Sequence, residues 1–218
     1  HESDIIMHRV QPQLNAVALF PLNKDLRTVM EDNFADVRFT PVLQPVWNHL
    51  HQRSFVGIQK KLFAYFHDGK LDIFCFDKNR FKFFNSYATT HAKDAIYFIL
   101  YVWKQLGMDQ KRDELHVVGD VPDKDWFIHN TKLYIQKTYL LNPAAEFNRA
   151  PLTEIKNIPF DLQALYPASR KPTLAGASLN KFITTNITLN KRMRIITGQY
   201  KGRHFDIPRT FKARPTTD

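Results

Sequence analysis

Six cations near the carboxyl end carry the clearest chemistry in this chain. Arg194, Lys201, Arg203, Arg209, Lys212 and Arg214 are interleaved with Ile195, Ile196, Tyr200, Phe205 and Phe211. Guanidinium forks match the geometry of phosphate oxygens, and alternating apolar residues can hold a hairpin, so this segment reads as a phosphate-binding one. Other constellations are less specific. Asp120, Asp123 and Asp125 cluster after Gly119; carboxylates at a loop and helix start are favoured by the helix dipole, and a divalent cation is the second reading. His49 and His51 are two residues apart, so on a helix they point to different faces and make a poor metal pair. His67, His91, His116 and His129 are scattered and read as surface or capping residues. Phe81, Phe83 and Phe84 beside Lys78, Arg80 and Lys82 suggest base stacking at first sight; a hydrophobic strand with a solvated basic face explains them as well. Cys75 is the only cysteine, which excludes an internal disulfide and a thiolate metal cluster, and its apolar neighbours make it a small core residue. No spacing supports a Ser/His/Asp or Cys/His catalytic group.

Charge divides the chain. Its 218 residues carry a net charge of +10. Residues 166–218 hold 11 of the Lys and Arg and two of the Asp and Glu, while residues 1–165 hold 20 basic and 19 acidic residues. The first part therefore reads as a nearly neutral globular domain and the tail as a polyanion-seeking segment. The longest apolar run, Ala95–Trp103, is far short of a membrane span, and the polar start shows no signal peptide, so the expectation is a cytoplasmic protein with no membrane partner. The missing initiator Met, and an end on Asp218, a helix N-cap residue with no helix after it, lead to the expectation that both ends are cuts.

Hydrophobic periodicity places the elements. Leu14–Phe20 and Val37–Thr40 read as strands, Leu22–Asn33 and Val46–Gln52 as helices. A meander follows, with strands at Lys61–His67, Leu71–Asp77 and Phe81–Ser86 joined by turns at Asp68-Gly69 and Lys78-Asn79; Asp-Gly suits a two-residue hairpin. Both faces of the middle strand are apolar, which predicts a sheet covered on two sides. The spacing predicts a helix from Thr90, as N-cap, to Leu106, stopped by Gly107, with an apolar stripe through Ala92, Ile96, Ile99 and Trp103. Leu115–Val118 reads as a buried strand, Asp123–Asn130 as a helix, Lys132–Leu140 as a strand and Phe160–Leu165 as a helix. Residues 167–192 lack periodicity and read as a linker.

The order meander, long helix, strand, helix, strand resembles the second half of an actin-like ATPase subdomain. The wording of Lys61–Ser86 and His91–Gly119, above all Tyr97-Phe-Ile-Leu-Tyr-Val-Trp-Lys-Gln-Leu-Gly107, is similar to a bacterial family of unknown function with that fold. The resemblance covers most of residues 4–165. It implies an α/β fold with a partial first subdomain over 1–54 and a second over 55–166. It also implies where a nucleotide would sit: Asp68 and Gly69 in the first hairpin of the second subdomain, against the phosphates, and Gly119 with Asp120, against the adenosine. The chain departs from nucleotide-binding members at these points. In Tyr65-Phe66-His67-Asp68-Gly69-Lys70-Leu71 an aromatic stands where an acidic residue is expected, and one glycine gives the backbone little freedom to wrap a phosphate. Asp120 puts a carboxylate where a close backbone approach is needed. The expectation is a degenerate site and a non-catalytic binding or scaffold module with an unknown protein partner; a divergent ATPase is an alternative.

The tail resembles a different family. Met193-Arg-Ile-Ile-Thr-Gly198, Gly202-Arg203, Pro208 and Arg214-Pro-Thr216 match the leader of the RsmD family of ribosomal RNA guanine-N2 methyltransferases. This implies ribosomal RNA as partner for 193–218. It implies S-adenosylmethionine only where the methyltransferase core is present, because residues 193–218 contain neither a cofactor-binding Gly-rich loop nor an Asn-Pro-Pro motif. The junction is either a true fusion linker or read-through across adjacent genes; Met193, well placed as a start, favours the second, and no catalysis or cofactor is expected of the 218 residues themselves.

Overall fold

A computed structural model describes residues 4–78, 80–147, 153, 158–169 and 194–196. The chain forms two compact units, residues 1–42 with 175–218 and residues 43–174.

In the first unit, β1 (Asp4–Gln11) pairs antiparallel with β2 (Ala16–Asn23). The link is a 3-10 turn over Pro12–Leu14 that closes on Asn15 at φ 47, a conformation Asn tolerates better than most residues. Leu14 therefore belongs to the turn, and the strand expected at Leu14–Phe20 begins at Ala16. Along β2, Ala16, Ala18, Phe20 and Leu22 are buried while the alternate residues are half-buried. Leu22 is thus a strand residue, and α1 (Lys24–Asn33) starts only after Asn23, whose Oδ1 accepts the Leu26 N–H at 3.0 Å. Phe20, Leu22 and Phe39 form the core, with Ile5, Met7, Leu26, Met30 and Val37 against it. The strand expected at Val37–Thr40 is not formed; β-rich composition without a partner edge does not make a strand. β8 (Arg194–Ile196) runs antiparallel to β2, with Arg194 opposite Leu19 and Ile196 opposite Val17.

The second unit begins with α2 (Gln44–Ser54), which the sequence reading placed with residues 1–54. Its Trp47 is fully buried, edge-on to Phe81 and Phe84. The meander follows: β3 (Lys61–His67), β4 (Lys70–Asp77) and β5 (Arg80–Ala88). Asp68 and Gly69, at φ 46 and 67, make the left-handed pair a two-residue hairpin requires. Next come α3 (Ala92–Gln105), β6 (Glu114–Gly119), α4 (Lys124–Lys132), β7 (Lys137–Leu140), α5 (Pro143–Glu146) and α6 (Phe160–Ser169). The cap of α3 is His91, without a side-chain hydrogen bond, so Thr90 is not the N-cap. Because α4 continues to Lys132, the strand expected from Lys132 shrinks to Lys137–Leu140.

The sheet order is β5-β4-β3-β6-β7, with β3 parallel to β6 and β6 parallel to β7. One face presents Leu62, Ala64, Phe66, Leu71, Ile73 and Cys75 to a core shared with Ile99, Val102 and Trp103 of α3 and Phe127 of α4. Each large side chain fully buried there contributes roughly 1.5–3 kcal/mol. The other face meets α2, α5 and α6 through Trp47, His49, Phe147 and Phe160. The apolar strand Phe81–Phe84 is thus partly spent on packing, Phe81 being buried against Phe76 and Trp47.

Where β3 and β6 end side by side, a Cβ on Gly119 would lie 2.0 Å from the Phe66 carbonyl oxygen, at φ 91. Gly69 has nothing within 4 Å of the same position. Gly119→Ala should therefore cost roughly 3 kcal/mol or more, from overlap and backbone strain together. Gly69→Ala should cost only the left-handed penalty of roughly 1–2 kcal/mol. Urea unfolding of both variants checks this; equal losses would contradict the tight β3–β6 closure.

Candidate functional site

The two expected halves of the nucleotide site lie at one end of the second sheet. Phe66 stands opposite Gly119 in the parallel ladder, and the Asp120 N–H donates to the Phe66 carbonyl at 3.0 Å. The Asp68-Gly69 turn follows directly on β3. The Thr89 N–H donates to the Gly69 carbonyl at 3.0 Å, which ties the start of α3 to the same turn. This is also where strand order reverses, between β3 and β6, the place where open α/β sheets bind ligands.

The turn fixes the register of β3 on β4, with His67 opposite Lys70 and Tyr65 opposite Asp72. Tyr65, His67 and Asp72 consequently share the face turned to α6. His67 Nε2 donates to Asp72 Oδ2 at 2.6 Å, and His67 Nδ1 lies 3.3 Å from Asp68 Oδ2. Burial alone would favour the neutral imidazole; the hydrogen bond to Asp72, its charge and the Asp68 carboxylate outweigh burial and raise the pKa above the usual histidine value. Tyr65 stacks on His67 with ring centroids 4.6 Å apart, and its hydroxyl accepts the Asp161 N–H at 3.4 Å. Burial, and then the Asp161 charge, push the Tyr65 phenol well up. Burial likewise raises the Asp161 carboxyl. Asp68 and Asp72 thus flank one imidazole, with Asp161 beyond Tyr65 close enough for the His67 charge to act on it.

A second polar group occupies the same face toward the other end of the strands. His49 Nε2 is 3.0 Å from Glu146 Oε2, and Arg53 Nη1 donates to Glu146 Oε1 at 2.5 Å. Arg53 Nε donates to His116 Nδ1 at 3.3 Å. That bond leaves the proton on Nε2, which faces Glu114 Oε2 at 2.9 Å. Lys61 Nζ completes the chain 3.6 Å from Glu114. Burial lowers the His116 pKa, the reverse of the shift at His67. The hydrogen bond from His49 leads the interactions that depress the Glu146 pKa, with Arg53 assisting against burial. The Cys75 thiol is pushed up to about 11 by burial and is inert as a nucleophile.

On the α3 side of the sheet a cleft of about 780 Å³ opens between the starts of α3 and α4, lined by His91, Lys93, Asp123, Lys124, Asp125 and Trp126. It takes in two of the three clustered aspartates. Among the described residues no group of three or more His, Cys, Asp or Glu side chains could hold a metal ion. Of the RNA-binding candidates, Arg194 lies in β8, and Lys201, Arg203, Arg209, Lys212 and Arg214 lie outside the described residues.

The sequence matches a family described as proteins of unknown function, DUF3822, over residues 1–138. The chain belongs to that family. A crystal structure from Bacteroides thetaiotaomicron, described as a protein with actin-like ATPase fold and unknown function, is 31% identical and superposes with a TM-score of 0.65 over 77% of this chain. The chain spans 60% of that protein's length. The fold of this DUF3822 member is accordingly α/β of the actin-like ATPase type. No curated protein matches the chain. The resemblance to the methyltransferase leader lies beyond the residues matched to the family.

Both polar groups have pH consequences of opposite sign. A raised His67 pKa stabilises the fold fully below the unfolded value of about 6.5 and loses that contribution as pH rises through the folded value. The stability gap between the parent and His67→Gln should therefore be widest near pH 6 and narrow toward pH 9, read by urea midpoints across about three pH units. A depressed Glu146 pKa acts above the unfolded carboxylate value of about 4.3 and fades as pH falls through the folded one. Glu146→Gln should lose roughly 3 kcal/mol at neutral pH, since Arg53 and His49 lose their acceptor, and approach the parent in acid. A gap unchanged down to about pH 3 would show that the carboxylate charge is not what holds α5.

Proposed function

We propose that this chain is a non-hydrolysing binding or scaffold module built on the actin-like ATPase fold. The observation that carries the reading is the character of the hairpin end. Asp68, Asp72 and Asp161 face it, and His67 is already engaged by two of them. A polyphosphate brought there meets carboxylates at close range in a partly buried setting, where like charges repel strongly. The glycine that could admit a ligand, Gly119, instead makes room for the Phe66 carbonyl. The hairpin's own cation, Lys70, stands opposite His67 in the ladder, and Lys93 and Lys124 line the cleft by the starts of α3 and α4; set against three carboxylates, Lys70 alone gives little of the positive charge that phosphoryl transfer uses.

For residues 193–218 we infer a methyltransferase leader from the Met193–Gly198 and Arg214–Thr216 motifs alone. On that reading the RNA contacts belong to Arg194, Lys201, Arg203, Arg209, Lys212 and Arg214, and S-adenosylmethionine belongs to a core outside these residues.

Isothermal titration calorimetry with Mg-ATP tests the main proposal. No binding heat is expected at up to millimolar nucleotide. Micromolar affinity, or Mg-ATP turnover that falls in Asp68→Ala and Asp120→Ala, would replace it with a divergent ATPase.

A further inference from the structure

We infer that the amino end of the parallel strands in the second unit is a docking surface for anionic lipid membranes. This goes beyond the proposed module and does not rest on it, since an ATP-binding chain could carry the same surface. Three loops enter the sheet at that end, ahead of β3, β6 and β7, and they are stitched together. The Glu114 N–H donates to the Lys60 carbonyl at 2.9 Å, the Gln136 N–H to the Gln110 carbonyl at 3.1 Å, and Lys60 Nζ to the Gly107 carbonyl at 3.3 Å. They present large apolar side chains to solvent: Ile58 is 96% exposed, Val56 and Leu133 are each 68%, and Phe55 and Tyr134 about half. Clustered exposed apolar groups within a polar rim mark an interaction surface, not an ordinary patch.

The leading loop is preorganised. Lys61 Nζ donates to the Val56 carbonyl, Gly57 turns the backbone at φ 78, and the Phe55 ring sits edge-on to His51 at 4.8 Å. Ile58 is thereby held outward on a projecting tip. The rim is cationic. Lys60, Lys111, Arg112, Lys132 and Lys137 belong to these loops and their flanks, against Asp109 as the exposed acid. Of the remaining acids at this end, Asp113 is buried and accepts the Lys60 and Asp109 N–H groups, Glu114 is bound to His116 and Lys61, and Asp77, exposed at the end of β4, pairs with Arg80 at 3.8 Å. A second copy of the same surface would set cation against cation, which disfavours a symmetric dimer. A projecting apolar tip ringed by Lys and Arg suits insertion at the headgroup level of an anionic leaflet. Among the described residues no helix is long and apolar enough to cross a membrane. The expectation of no membrane partner rested on the length of apolar runs, which bears on spanning and not on surface contact.

Co-sedimentation of the full chain with lipid vesicles tests this. Binding is expected to phosphatidylcholine vesicles containing about 30% phosphatidylglycerol, not to pure phosphatidylcholine, and should fall steeply with salt. Ile58→Asp should weaken it about tenfold or more. Because Ile58 is almost wholly exposed, circular dichroism should show that variant folded as the parent. Ile6→Asp, at an exposed position in the first unit, should bind as the parent does. Absence of binding to anionic vesicles would overturn the inference, as would equal binding by Ile58→Asp or indifference to lipid charge; in those cases the surface is left for a protein partner.

Discussion

The parallel pairing of β3 with β6 is the constraint on which the second unit depends. It joins the meander to the strands that follow α3, and it closes so tightly at its carboxyl end that position 119 cannot bear a side chain. Parallel neighbours require a crossover, and the run β4-β5-α3 supplies it, with Ile99, Val102 and Trp103 of α3 buried in one core with β3, β4 and β6. Once that crossover is in place the hairpin turn and the Gly119-Asp120 loop must come out together, whatever the residues there can bind.

The two faces of the sheet do different work. The face toward α3 and α4 is a continuous apolar core. The face toward α2, α5 and α6 carries two separate ionic groups, one at each end of β3, with aromatic packing between them. Burying charge has a desolvation cost that pairing only offsets, so a chain of charges such as Lys61–Glu114–His116–Arg53–Glu146–His49 adds less to net stability than its length suggests. What it does is fix geometry. Arg53 can satisfy both His116 and Glu146 only with α2 and α5 in one position over the sheet. The two histidines show how surroundings set the direction of a shift: carboxylates raise the His67 pKa against burial, while burial first and then the Arg53 charge lower that of His116 despite Glu114.

The local parts of this architecture were legible in the sequence because their causes are local. Asp68-Gly69 has the residue types for its turn, Gly107 ends α3 at φ 57, and the apolar stripe of α3 repeats at helical spacing. Even the sharing of a face by Tyr65, His67 and Asp72 follows once that turn sets the register, although those residues read as unrelated along the chain. Elements decided by tertiary context were not legible. β1 was missed because its Asp4–Gln11 alternation is weak until β2 supplies an edge. Val37–Thr40 has strand composition but no partner. Lys132–Tyr134 looks extended, yet α4 carries Lys132, and the chain turns before β7. The ionic chain was hidden for a different reason: Glu146 lies 97 residues from His49 and 93 from Arg53, and no periodicity connects them.

A glycine kept at the end of a buried strand is commonly read as room for a ligand. Here its missing side chain is accounted for by a neighbouring carbonyl, so the same residue would be required whether or not anything binds. That separates two demands that coincide in an actin-like fold: closing the sheet, and opening a site at its carboxyl end. A chain can lose the second while the first holds the backbone unchanged, because binding depends on the side chains set on that frame. The carboxylates around His67 alter only the second demand. The fold therefore identifies the architecture, and the charge at its two ends, acidic by the hairpin and cationic around Ile58, is what remains to say which partners it can meet.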